Sequence, residues 1–196
     1  NEPQQYRSGE WRNRGVTDVF EPGSIFKVVL AAAALEEKVV HPLEKIDCSA
    51  GSIKVADRVI SDAHRSGVLT FTDVIADSSN VGTIKVALRL GKERFARYIT
   101  AFGFGQKTGV DIPGEIPGLL KDRRLWSGVS IGSIAIGQEI GVTPIQMAAA
   151  YGVLANGGML MKPYLVSRIV DQDGGLEKKF APQPVGRAIS KETCAK

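Results

Sequence analysis

The sequence predicts a single α+β domain, mostly helical with a minor antiparallel β component. Three observations carry this. Residues 24–38 read as a helix whose middle, Val28-Val29-Leu30-Ala31-Ala32-Ala33-Ala34-Leu35, is apolar on every face. Two further helical stretches, 72–90 and 92–102, follow it. Late in the chain, β-prone runs at 164–170 and 176–180 flank Asp173-Gly174-Gly175, a hairpin signal. With 196 residues and 43% hydrophobic content, the chain can bury one compact core or most of a larger one.

Taken in order, residues 1–15 are polar and irregular and read as an extended entry segment. Pro22-Gly23 then breaks the chain before the first helix. A helix that is apolar all round is buried, so this one should run through the interior with its N-terminus opening on a cleft. Residues 48–69 mix Gly, Asp and Ser with short β-branched pieces and read as loops and short strands. The 72–90 helix should break near Ser78-Ser79-Asn80 and stop at Gly91. The amphipathic 92–102 helix should end at Gly103 and Gly105. Two prolines and several glycines make 109–124 a loop. Thr143-Pro144 supplies an N-cap and a first-turn proline for another helix, which Asn156-Gly157-Gly158 ends.

Composition excludes several classes. The net charge of +4 is mild and scattered, which argues against a nucleic-acid partner. Cys48 and Cys194 make neither a disulfide framework nor a metal site by spacing, and read as small, partly buried hydrophobes. His41 and His64 are too few for a metal cluster, and His64 reads as a loop residue. No metal or cofactor is expected. The eight-residue apolar run is far too short to cross a bilayer, and no signal peptide is present. The first residue is Asn1, with no initiator Met, so the reading is of a piece of something longer.

The chemistry centres on Ser24-Ile25-Phe26-Lys27. Residues three apart on a helix share a face, so the Ser24 hydroxyl and the Lys27 amine can meet. A serine needs a base to take its proton, and burial lowers a lysine's pKa enough to make the amine that base. Backbone N–H groups at a helix N-terminus favour developing negative charge. Ser78-Ser79-Asn80, 54 residues on from Ser24, adds a hydroxyl that could relay a proton and a carboxamide that could orient a carbonyl or Lys27. Lys107-Thr108-Gly109 lies among glycines and prolines and reads as a loop, not as a cleft-lining strand.

Longer segments add a family resemblance. Glu21-Pro22-Gly23-Ser24-Ile25-Phe26-Lys27, Asp77-Ser78-Ser79-Asn80-Val81-Gly82, Phe102-Gly103-Phe104-Gly105-Gln106-Lys107-Thr108-Gly109 and the stretch from Ile136 to Tyr151 resemble class B penicillin-binding proteins in order and spacing. The resemblance covers nearly the whole chain. It implies the fold shared by these proteins and the serine β-lactamases, and a serine D,D-transpeptidase acting on peptidoglycan stem peptides. Ser24 would attack the D-Ala–D-Ala carbonyl, Lys27 would serve as base, and Ser78 and Asn80 would form the second motif. Ser79, Gly137 and Gln138 become candidate substrate-binding residues. β-Lactams would acylate the same serine.

By the same resemblance, the domain sits on the extracytoplasmic side of a single-pass membrane protein. Its partners would be stem peptides, β-lactam antibiotics, a glycosyltransferase and other cell-wall proteins. The family's first sheet strands would precede Asn1 and its catalytic K-T-G would follow Lys196, so 1–196 is expected to be a partial domain with an incomplete sheet, inactive alone. A β-lactam sensor, a non-catalytic division scaffold and a serine β-lactamase remain alternatives.

Overall fold

The computed structural model describes residues 12–196. The expected entry segment lies mostly outside that range; its last residues form a one-turn helix, α1 (Arg14–Thr17). A 3₁₀ turn, Gly23–Phe26, leads directly into α2 (Lys27–Glu36). Then come β1 (Lys45–Asp47), β2 (Ser52–Val55), β3 (Arg58–Ser61) and β4 (Val68–Thr70). Helices α3 (Phe71–Ala76), α4 (Asn80–Leu90) and α5 (Lys92–Ala101) follow. Next in order are β5 (Leu119–Leu120), α6 (Ser130–Ala135), β6 (Ile140–Gly141) and α7 (Pro144–Ala155). The chain closes with β7 (Met159–Lys162), β8 (Arg168–Val170), β9 (Leu176–Lys179), β10 (Gln183–Arg187) and α8 (Lys191–Cys194). The strands pair antiparallel two by two: β1 with β4, β2 with β3, β5 with β6, β7 with β10 and β8 with β9.

Helix α2 is the axis of the fold. Val29, Leu30, Ala33 and Ala34 are fully buried, and α3, α4, α5 and α8 pack against the helix. Its four consecutive alanines leave little side chain in the way, so neighbouring helices approach closely. Full burial of each Val or Leu contributes about 1.5–3 kcal/mol relative to exposure. Phe26, at the entry to α2, meets Phe104 edge to face at 5.0 Å. The packing of α4 depends on Gly82, where a Cβ would lie 2.5 Å from Val74 Cγ2 and 3.1 Å from the Cys48 sulfur.

The helix boundaries follow local chemistry. Thr70 and Asp73 form a capping box on α3, and Thr143 and Gln146 form another on α7, with Pro144 in the first turn. Ser79 caps α4 through a bond from Gly82 N. Several elements were not visible in the sequence pattern, among them the two-residue β5 inside the expected 109–124 loop. Strand β10 contains Pro184 and Gly186, both strand breakers, and a register shift between them absorbs the irregularity. Its partner β7, Met-Leu-Met-Lys, lacks β-branched residues. Helix α6, Ser-Ile-Gly-Ser-Ile-Ala, carries no periodic sequence signal and is buried against α4.

Candidate active site

Ser24 is the second residue of the 3₁₀ turn, and its side chain is exposed. The expectation of a plain α-helical start is corrected here: α2 proper begins at Lys27. Lys27 N donates to Ser24 O across that turn. With three residues per turn, positions i and i+3 eclipse, so Ser24 and Lys27 still share a face.

The turn is held from outside by residues 137–142. Phe20 and Val142 exchange backbone bonds of 3.0 and 2.9 Å. Glu139 N donates to the Glu21 carboxylate at 2.9 Å, and Gly23 N donates to Gly137 O at 2.9 Å. Gly137 has φ +76°, and a Cβ there would lie 2.5 Å from Gly23 N. The sequence candidate Gly137 therefore abuts the backbone beneath the Ser24 turn, where only a glycine fits.

Lys27 is 2% exposed, and its amine donates to Ser78 O at 2.5 Å, Ser78 Oγ at 2.9 Å and Asn80 Oδ1 at 2.8 Å. Residues 51 and 53 positions apart in sequence thus converge on one amine. Among the described residues no hydrogen bond joins Lys27 Nζ to Ser24 Oγ; the two groups share a turn. Burial pushes the amine down to about 8, and the Asp62 carboxylate pulls the other way. Ser78 holds a left-handed backbone, φ +58°, unusual for a residue with a side chain. Asn80 opens α4 and donates its Nδ2 to Ser61 O at 2.8 Å, so its carboxamide bridges β3 and Lys27.

Ser79 stands apart from its neighbours. It is 3% exposed, and its hydroxyl bonds to Asp62 Oδ2 at 2.8 Å and accepts from Gly82 N at 3.0 Å. The Ser79 hydroxyl, which the resemblance made a candidate for substrate contact, is here buried and engaged as the cap of α4. Gln138 is half-buried, with its side-chain oxygen accepting from Arg58 Nη2 at 3.3 Å, which links it to the β2–β3 hairpin.

One residue escaped the sequence reading. Asp62 accepts from Asn80 N, from Val81 N at 3.0 Å and from the Ser79 hydroxyl. Nearby His64, expected to be a loop residue, lies exposed in a bend. The available signal was an acidic residue followed by a serine-rich helix start, but the 18-residue gap hides the pairing.

Lys107-Thr108-Gly109 lies in a loop. The buried Glu115 carboxylate accepts from Thr108 N and Thr108 Oγ1, both at 2.6 Å, and from Gly109 N at 3.0 Å. The threonine hydroxyl is thereby engaged away from Ser24. Among the described residues, no group of three or more His, Cys, Asp or Glu side chains could hold a metal ion.

The whole chain, residues 1–196, matches the family described as penicillin binding protein transpeptidase domain. The chain belongs to that family. It is 41% identical over 92% of its length to the penicillin-binding protein PbpB of Mycolicibacterium smegmatis. It is 32% identical over 91% of its length to the peptidoglycan D,D-transpeptidase FtsI of Escherichia coli. It spans 28% and 29% of those two proteins. Among solved structures, penicillin-binding protein 3 of Mycobacterium tuberculosis complexed with aztreonam superposes with a TM-score of 0.88 at 36% identity, covering 98% of this chain and 44% of that one. The α+β fold is therefore that of a penicillin-binding transpeptidase domain, as the sequence resemblance implied.

Proposed function

We propose that this chain forms the nucleophile-bearing part of a serine D,D-transpeptidase that cross-links peptidoglycan stem peptides and is acylated by β-lactams. The observation that carries the proposal is the buried Lys27 amine, shared by Ser78 Oγ and Asn80 Oδ1 at the foot of the turn that presents Ser24.

The proposed chemistry follows from this arrangement. With its amine titrating near 8, Lys27 is neutral in roughly a tenth of molecules at pH 7. A neutral amine has a lone pair to take the Ser24 proton. As the Oγ–H bond breaks, Oγ forms a bond to the D-Ala–D-Ala carbonyl carbon. The backbone N–H of Ser24, in the first turn, has no partner within that turn and would be available as a donor to the developing oxyanion. Collapse breaks the C–N bond, and the departing D-Ala amine receives its proton through the Ser78 hydroxyl. The Asn80 carboxamide, fixed by Ser61, orients the substrate and Lys27. An amine from a neighbouring stem peptide then displaces Ser24.

The E. coli relative's description as a peptidoglycan D,D-transpeptidase, and the aztreonam and ampicillin complexes of the Mycobacterium tuberculosis protein, support this substrate and inhibitor class. A cell-wall activity places the domain on the outer side of the cytoplasmic membrane. Among the described residues, no helix is long and apolar enough to cross a membrane. A glycosyltransferase and other cell-wall proteins are the proposed partners.

Turnover of a thioester analogue of the stem peptide by the full-length protein, with transfer to an added D-amino acid, tests the reading. Transfer products are expected. A stable penicillin adduct without transfer would mean a sensor, and rapid hydrolysis of the adduct would mean a β-lactamase.

A further inference from the structure

The second-motif turn is held by a residue that belongs to none of the three motifs. Asp62 lies just beyond β3 and reaches across to the start of α4. One carboxylate oxygen receives Asn80 N and Val81 N, and the other receives the Ser79 hydroxyl at 2.8 Å. These are the first two N–H groups of α4, which have no partner inside the helix. A carboxylate placed there also meets the positive end of the helix dipole. The bonds begin one residue past Ser78, whose left-handed backbone carries both the carbonyl and the hydroxyl that contact Lys27. A strained residue keeps its conformation only when its surroundings over-determine it.

We propose that Asp62 is a positioning residue for acyl transfer: by fixing the Ser79–Val81 backbone it sets Ser78 and Asn80 against Lys27. The proposal rests on the acyl-transfer reading above. Asp62 thus acts through two separable routes. The geometric route needs a carboxylate of the right reach. The electrostatic route needs only the negative charge, which favours the protonated amine and opposes the effect of burial. The groups that bond Lys27 Nζ directly, from the α3–α4 junction, are the uncharged Ser78 and Asn80.

The test measures the acylation rate of the full-length protein by a fluorescent penicillin against pH, in the wild type, Asp62→Asn and Asp62→Glu. Folding is checked by thermal melts. Asn keeps the shape and removes the charge, so the midpoint of the pH profile should fall by about half a unit or more. Its plateau should drop about tenfold as the turn loosens. Glu keeps the charge and displaces it, so its midpoint should stay near that of the wild type while its plateau drops. A purely structural role would lower the melting temperature of both variants and leave both midpoints in place; that result overturns the proposal. So does an unchanged profile in both. If Asp62→Asn does not fold, the Glu variant decides: a wild-type plateau overturns the proposal and a reduced one upholds it. Absence of acylation in the wild type would overturn the acyl-transfer reading itself, and is distinguishable from either outcome.

Discussion

Lys27 is a charged side chain placed where the fold has almost no water, and three oxygens from one turn compensate it. An amine lowered from 10.5 to about 8 has a definite pH signature. The unfolded chain binds the extra proton between pH 8 and 10.5, so the amine's burial costs stability below pH 8. That cost fades as pH rises through this window. Acylation needs the neutral amine, so its rate should climb about tenfold per pH unit below 8 and level off above it. A penicillin-acylation profile between pH 6 and 10 checks this; a flat profile would mean that Lys27 is not the base. Gly137 offers a second residue-level test. A methyl group there would collide with the Gly23 backbone and would need a left-handed alanine. Gly137→Ala should cost roughly 1–3 kcal/mol in denaturant unfolding. It should also slow acylation on the order of a hundredfold by displacing the Ser24 turn.

At the scale of elements, the decisive case is the Lys107–Gly109 segment. Its letters are those of an active-site strand, but its neighbours are glycine and proline, and the structure gives a loop closed on Glu115. Thr108→Val should lower stability by about 1–3 kcal/mol, since it leaves part of a buried carboxylate unpaired. Acylation by penicillin should remain within about twofold of the wild type. The longer helices were legible because their signals are local. Thr143 and Gly91 mark helix ends, and the all-apolar run of α2 declares its burial. The Ser-Ser-Asn break between α3 and α4 was legible for the same reason. What escaped depends on tertiary context: β7 and β10 pair across an intervening hairpin, and α6 is stabilised by what covers it. Of the candidate site, the convergence of Ser78 and Asn80 on Lys27, on one face with Ser24, was readable from hydroxyl, amine and amide chemistry. Asp62 and the burial of Ser79 were not, because both are set by an 18-residue crossing that no periodicity records.

For the molecule as a whole, the site is assembled from four regions: the 20–27 turn, the end of β3 with Asp62, the α3–α4 junction and the 137–142 segment. Helix α2 and its buried neighbours lock these together, so the proposed acyl transfer would depend on the packed domain and not on one motif. The only Lys-Thr-Gly of the sequence is committed to a loop, and the proposed mechanism counts one oxyanion donor, the Ser24 N–H. The 196 residues alone should therefore react with penicillin at least about a hundredfold more slowly than the full-length protein. The most direct measurement is peptide mapping by mass spectrometry after the full-length protein is treated with a penicillin. A covalent adduct should appear on the peptide carrying Ser24, vanish in Ser24→Ala and form far more slowly in Lys27→Ala. An adduct on another residue, or one that forms unimpaired without the Lys27 amine, would contradict the assignment of Ser24 and Lys27 as nucleophile and base.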